Sequence, residues 1–225
     1  MIRAVVFDFD GVIANSEPLH FRAYRDVLVD RGLTLTESAY YERYLGYDDV
    51  GAFRAIAADA SVALTEREIV ELVARKAVRL EALEKAGSVL FAGAREAIVR
   101  MSAVWPVAIA SGALKAEIER VLDHESLGTL FRVLVSAEDT PLSKPDPAPY
   151  VRAVELLGAT MASLTPAECV AIEDSRWGLQ SARSAGLRTV AITHTSPASA
   201  LADAADVVIP HLAMVTPDLR ASLAR

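Results

Sequence analysis

The sequence predicts an α/β fold: a doubly wound parallel sheet with an all-helical segment inserted behind its first strand. Two observations carry this. Six short apolar segments, near residues 3–8, 106–110, 132–136, 169–173, 188–192 and 206–209, are mostly separated by stretches with helical spacing of apolar residues. That alternation is the pattern of a parallel sheet covered on both faces. Between the first two segments, residues 17–87 lack strand alternation and read as helices. The expected division is therefore 1–16 with 88–225 as one domain and 17–87 as the other.

Taken in order, the first strand is Ala4-Val5-Val6-Phe7, running directly into Asp8. Pro18 to Arg31 is helical and ends at Gly32. Thr65-Glu66-Arg67-Glu68 is a capping box, followed by Ile69, Leu72, Val73, Leu80 and Leu83 along one side of a helix. Arg95 to Val104 carries Ala97, Ile98, Met101 and Val104 at helical spacing, and Val107-Ala108-Ile109-Ala110 is the next strand. Asp146 is an N-cap with Pro147 at the first helical position, and Gly158 closes that helix. Cys169-Val170-Ala171-Ile172 is a strand, and a helix from Ser175 to Ala185 stops at Gly186.

The chain has 225 residues, 52% of them hydrophobic, enough for one or two well-filled cores. With 23 basic against 30 acidic residues it is net −7, and no basic run or stripe marks a nucleic-acid footprint. The single cysteine, Cys169, excludes an internal disulfide and a cysteine-cluster metal site; set in an apolar run, it reads as a core residue. Four apolar residues after Met1-Ile2-Arg3 are too few for a cleaved leader, and no apolar run approaches the ~18 residues of a membrane span. The expectation is a cytoplasmic protein with no membrane partner, a monomer or weak homodimer.

The chemistry lies at the ends of these strands. Asp8-Phe9-Asp10-Gly11 closes the first apolar run with two acids, which alternation would set on one face. Two carboxylates so close repel unless one is protonated or a cation lies near, which points to a divalent ion, one acid attacking and the other moving protons. Glu173-Asp174-Ser175 is a second acidic strand end, readable as metal ligands and equally as a helix cap. Ser111-Gly112 follows another apolar strand, with the Gly112 and Ala113 N–H groups expected to open the next helix as an anion site. Ser143-Lys144-Pro145-Asp146-Pro147 sets a lysine before a helix start.

The order acid pair, serine, lysine, acid pair resembles the haloacid dehalogenase-like phosphohydrolase superfamily over essentially the whole chain. The resemblance implies a Rossmann-like core with an inserted all-helical cap domain that closes over the acids. It implies a phosphomonoester hydrolase using Mg²⁺, with Asp8 as nucleophile, Asp10 as acid/base and Lys144 neutralising charge on the transferring group. Asp8 and Asp174 would bind the metal directly, Asp10 through its carbonyl, and Glu173 directly or through water. Ser111, Gly112 and Lys144 would hold the phosphate of a small-molecule ester. The second acid, Asp10, argues against a dehalogenase, since that branch lacks it.

Asn15-Ser16-Glu17 and His20-Phe21-Arg22-Ala23 look like the branch containing β-phosphoglucomutase and small sugar-phosphate or phosphoglycolate phosphatases. There a histidine such as His20 helps couple cap closure to the acid/base. Lys76 is either a substrate contact from the cap or a snorkelling surface lysine. His124, His194 and His211 have no metal-like spacing. The mutase carries an arginine shortly after a cap-loop glycine, to grip a second phosphate. Leu45-Gly46-Tyr47-Asp48-Asp49-Val50 has acids there, which would repel it, so hydrolysis is expected over mutase chemistry, with Arg54 as the one residue able to reverse this. A receiver-like phospho-accepting module is the alternative of another class; it would lack the second acid and the helical insert.

Overall fold

The computed structural model describes every residue except Gly46, Ala224 and Arg225, and every side chain but those and Arg220. The first strand, β1 (Ala4–Phe7), leads into α1 (Glu17–Leu28), α2 (Glu37–Ala39), α3 (Asp49–Asp59) and α4 (Glu66–Glu84). The chain returns through α5 (Ala94–Ser102) to β2 (Val107–Ala110), then runs α6 (Lys115–His124), β3 (Phe131–Val135), α7 (Ala148–Gly158) and β4 (Cys169–Glu173). It ends with α8 (Arg176–Ser184), β5 (Arg188–Ile192), α9 (Ala198–Leu201), β6 (Val207–Ile209) and α10 (Leu219–Ser222). The six strands form one sheet in the order β3-β2-β1-β4-β5-β6, every pairing parallel. This is the Rossmann-like, doubly wound order.

The central strands are buried along their whole length, which is why β1, β2 and the first four residues of β4 carry no charged side chain. Small residues on one face, Ala4, Ala108, Ala110, Cys169 and Ala171, admit Tyr150 and Leu157 of α7 and Ala182 of α8. On β1 the alternate residue Phe7 meets Phe131 edge to face, ring centres 6.4 Å apart. Cys169 is a free, buried thiol, and burial pushes its pKa up to about 12, so it packs rather than reacts.

The chain divides into two compact units, Met1–Asn15 with Val89–Arg225, and Ser16–Ser88. The second has its own core: Tyr24, Val27 and Leu28 of α1 pack with Phe53 and Ile56 of α3 and Leu72 of α4. The Thr65–Glu68 capping box forms as expected, and Gly32 stops the first helical segment with a left-handed φ of 67°. One helix start differs from expectation. Asp146 accepts the Ala148 N–H at 2.9 Å, yet Pro147 is the capping position and α7 begins at Ala148. Among the described residues no helix is long and apolar enough to cross a membrane.

Replacing the fully buried Leu72 with alanine removes the α4 contribution to this second core. A loss of about 2–5 kcal/mol is expected from urea unfolding of the full chain.

Candidate active site

Strand order reverses direction between β1 and β4, and ligands of such sheets bind beyond the carboxyl ends of the strands at that point. The register pairs Phe7 with Ile172, and the Asp8 N–H donates to the Ile172 carbonyl at 2.9 Å, so Asp8 emerges beside Glu173. Asp8 is 8% exposed, Glu173 0% and Asp174 5%. One oxygen from each of the three lies within 4.8 Å of the others.

Among the described residues a single ammonium pairs with these acids. Lys144 Nζ is 2.8 Å from Asp8 Oδ1 and 2.6 Å from Glu173 Oε1, and sits 5.1 Å above the centre of the Tyr150 ring. The Tyr150 hydroxyl donates to Glu173 Oε1 at 3.0 Å. Glu173 Oε2 accepts from the Asp174 N–H at 3.1 Å, the Ser175 N–H at 3.2 Å and the Ser175 hydroxyl at 3.1 Å. The Thr195 hydroxyl donates to Asp174 Oδ2. Ser175 also caps α8, accepting the Gly178 N–H at 3.0 Å, so the acidic strand end and the cap are one structure.

Two glycines exist to make room. A Cβ on Gly178 would lie 1.8 Å from Glu173 Oε1, and one on Gly11 would lie 2.0 Å from Asp174 Oδ2, with Gly11 also left-handed at φ +78°. No side chain can stand where these carboxylates stand.

The charges sort unequally. Burial, then the neighbouring charge of Glu173, holds the Asp8 carboxyl well above its usual range, against the pull of Lys144. Burial and Glu173 raise Asp174 to about 6. Burial opposes the charge on Glu173 too, but the Lys144 ammonium and the hydrogen bonds from Ser175 and Tyr150 outweigh it and lower its pKa. For Lys144, burial is outweighed by Asp8 and Glu173, and its pKa rises. Three buried carboxylates against one ammonium leave an excess of negative charge, and the donors are all oxygen. That set fits a hard divalent cation, with Asp8, Glu173 and Asp174 as the side chains able to hold it.

The remaining expected site residues fall as follows. β1 stops at Phe7, so strand alternation does not relate Asp8 to Asp10: Asp10 lies in the following turn, bridged to Ala14 and only partly buried, and its carboxylate is not in the three-acid group. Ser111 is buried and its Oγ accepts the Ala113 N–H at 3.1 Å. The expectation that Gly112 and Ala113 open a helix is corrected: α6 begins at Lys115, whose own N–H donates to Glu138 Oε2 at 2.7 Å. Gly112 itself is exposed.

His20 and Lys76 belong to the helical unit. Lys76 is no snorkelling surface residue: it is 2% exposed, with Nζ 2.7 Å from Asp49 Oδ1, 3.1 Å from His20 Nδ1 and 4.8 Å from the centre of the Tyr24 ring. Asp49 also accepts the Tyr24 hydroxyl at 2.6 Å, while Asp48 caps α3 through the Gly51 N–H. Gly46, read above as the cap-loop glycine, lies outside the described residues.

Three contributors were not singled out from sequence: Tyr150, Thr195 and His194. Each depends on tertiary adjacency. The one available signal was position, since Thr195 and His194 follow the carboxyl end of β5, the strand beside β4.

Fold and site together define an α/β enzyme with its reactive groups on the strand ends of a parallel sheet. The family model for haloacid dehalogenase-like hydrolases matches residues 2–186. Protein CbbY of Rhodobacter capsulatus is 32% identical over 196 residues, covering 84% of this chain and 84% of that protein. Hexitol phosphatase B of Escherichia coli K12 is 32% identical over 193 residues, covering 85% and 83%. The crystal structure of a candidate β-phosphoglucomutase from Thermotoga maritima superposes with a TM-score of 0.83 at 25% identity, covering 98% of this chain and 99% of that one. The chain belongs to the haloacid dehalogenase-like hydrolase family, in the branch with a helical cap, and is an enzyme of that hydrolase class.

Gly178→Ala is expected to displace the Glu173 carboxylate and lower stability by about 1–3 kcal/mol, read from the melting transition. Gly158→Ala, where an added Cβ meets nothing within 4 Å, serves as the comparison and is expected not to lower stability.

Proposed function

We propose that the chain is a Mg²⁺-dependent phosphomonoester hydrolase acting on a small metabolite, a sugar phosphate or a phosphoglycolate-like compound, through an aspartyl-phosphate on Asp8. The observation that carries this is the buried group of Asp8, Glu173 and Asp174 sharing the single Lys144 ammonium. The names of the relatives, a hexitol phosphatase among them, support the substrate class.

In this reading one Asp8 oxygen attacks phosphorus in line with the ester oxygen, and the P–O bond to the leaving group breaks. Asp10 gives the departing alkoxide its proton. Water then attacks the phosphorus of the acyl phosphate, Asp10 takes the proton from that water, and inorganic phosphate leaves with the Asp8 carboxylate restored. Lys144, hydrogen-bonded to Asp8, offsets charge on the nucleophile and the transferring group. Ser111 and Gly112 hold phosphate oxygens, while His20 and Lys76 belong to the recognition of the leaving group. Asp8 and Asp174, with the Asp10 carbonyl and Glu173 directly or through water, would hold Mg²⁺, which when bound draws negative charge from the phosphoryl oxygens. Residues 17–87 act as the cap that screens these steps from water.

Hydrolysis is favoured over phosphomutase chemistry by the helical unit. Its Lys76 is paired with Asp49, and Arg54 pairs with Glu66 at 2.7 Å, so neither is an uncommitted cation for a second phosphate. Family membership sets the receiver-like alternative aside.

The test is phosphate release from a panel of small phosphomonoesters. Release is expected with Mg²⁺, not with chelator, and Asp8→Asn should lower it by at least ~10³-fold; a mutant near wild-type turnover would sink the proposal. Isomerisation of a sugar 1-phosphate without release would favour the mutase instead. Metal linkage gives an independent check. Burial and Glu173 raise Asp174 to about 6 in the fold against ~3.9 unfolded, so the fold binds the extra proton and this group's contribution to stability falls as pH rises from about 4 to about 6. Mg²⁺ competes with that proton, so the rise in Tm on adding Mg²⁺ is expected to be larger at pH 7.5 than at pH 5.

A further inference from the structure

We propose that His194 is a positioning residue, locking the turn that carries Asp10 onto the chain segment that returns from the helical insert. The catalytic part of this inference rests on the phosphomonoesterase reading above; its structural part does not.

The turn after β1 is closed by its own backbone. The Gly11 N–H donates to the Ala14 carbonyl at 2.9 Å, and the Ile13 and Ala14 N–H groups donate to the Phe9 carbonyl at 2.8 and 2.9 Å. It is also tied to residues 89–91: the Phe91 N–H donates to the Ile13 carbonyl at 2.9 Å, the Asn15 N–H to the Val89 carbonyl at 2.7 Å, and Ala14 bridges Leu90 antiparallel. At its sharpest point the turn has no side chain with which to anchor itself, because Gly11 faces the Asp174 carboxylate where a Cβ would be. The anchor is the Gly11 carbonyl.

That carbonyl lies 3.0 Å from His194 Nδ1. A carbonyl only accepts, so Nδ1 carries the hydrogen. The same imidazole stacks on the Phe91 ring, centres 4.1 Å apart and planes 22° from parallel. One side chain from the loop after β5 thus joins the Asp10 turn to the returning segment. Its neighbour Thr195 holds Asp174. Two adjacent residues therefore address the acid/base turn and the acidic end of β4, and a displaced Gly11 would carry Asp10, bonded directly to it, out of line with a leaving group. A gap-filling histidine would need only the stack; the hydrogen bond to the carbonyl of Gly11, the residue that follows Asp10, is what assigns the role.

The experiment separates positioning from mere stability by leaving group. Asp10 is required as an acid for an alkyl ester but not for 4-nitrophenyl phosphate, whose leaving group departs without a proton. The quantity read is kcat/KM, which covers the steps through leaving-group departure. In His194→Ala it should fall about tenfold or more for the best alkyl phosphomonoester of the panel and less than about threefold for 4-nitrophenyl phosphate, part of the ~10²–10⁴ that a general acid supplies. His194→Asn, which keeps a donor near the Nδ1 position, should recover part of the alkyl-ester loss, and His194→Phe, which keeps only the ring, should not. Equal losses on both esters would overturn the assignment. Amide hydrogen exchange on the same full-length variants provides the second readout. Exchange at Asn15 and Phe91 should accelerate about tenfold in His194→Ala while β6 is unchanged; unaltered exchange there would overturn the clamp whatever the activity. Wild-type protein that releases phosphate from neither ester would instead defeat the phosphatase reading, with the exchange result still standing or failing by itself.

Discussion

Everything at the site depends on one ammonium placed among three buried carboxylates. Lys144 comes from a loop, yet it is held on three sides: by Asp8 just after β1, by Glu173 from β4, and by the ring of Tyr150 from α7 beneath it. Isolated charges of one sign would not survive at this depth. The lysine makes the burial of Glu173 tolerable, and Glu173 in turn uses its second oxygen to fix the start of α8 through Ser175. The acid excess that remains belongs mainly to Asp8 and Asp174, the two whose pKa values are raised. The protein thus keeps Glu173 satisfied and leaves Asp8 and Asp174 short of positive charge.

The sheet is arranged to make that placement repeatable. Register, not side-chain flexibility, sets Asp8 beside Glu173, because Phe7 and Ile172 are paired backbone to backbone. Glycine at 11 and 178 then lets neighbouring backbone approach the carboxylates more closely than any other residue would allow. In the helical unit the same economy of charge recurs on a smaller scale. The buried Lys76 ammonium pairs with Asp49 and lies against His20 and the Tyr24 ring.

How much of this was readable beforehand follows from where each signal lives. The central strands β1, β2 and β4 were legible because each is built almost wholly of buried apolar residues, and the end of such a run at an acid or a serine is visible in one dimension: hence Asp8, Ser111, Glu173 and Asp174. Lys144 was legible through its Pro-Asp-Pro context. The wrong details were ones decided by a single hydrogen bond. Ser111 takes the Ala113 N–H, which delays α6 to Lys115, and β1 ends before Asp8, which removes the alternation argument for Asp10. Lys76 looked like a surface residue because its partner, Asp49, is 27 positions away. Tyr150 carries no local mark, and Thr195 and His194 carry only their place just after β5, since their roles arise only when β4, β5 and the first turn are side by side.

The pairing of β1 also bears on how the chain is assembled. Its neighbours are β2 and β4, so β1 is completed only when Ile172 arrives opposite Phe7. At the ~5–20 residues per second of synthesis, that is on the order of ten seconds or more during which a four-residue apolar strand waits with one edge unpaired. The insert between them has its own buried cluster and can condense meanwhile. A ribosome stalled before β4 would therefore hold a molecule with a formed helical unit and an open sheet, so the acidic centre cannot exist until β4 has been made.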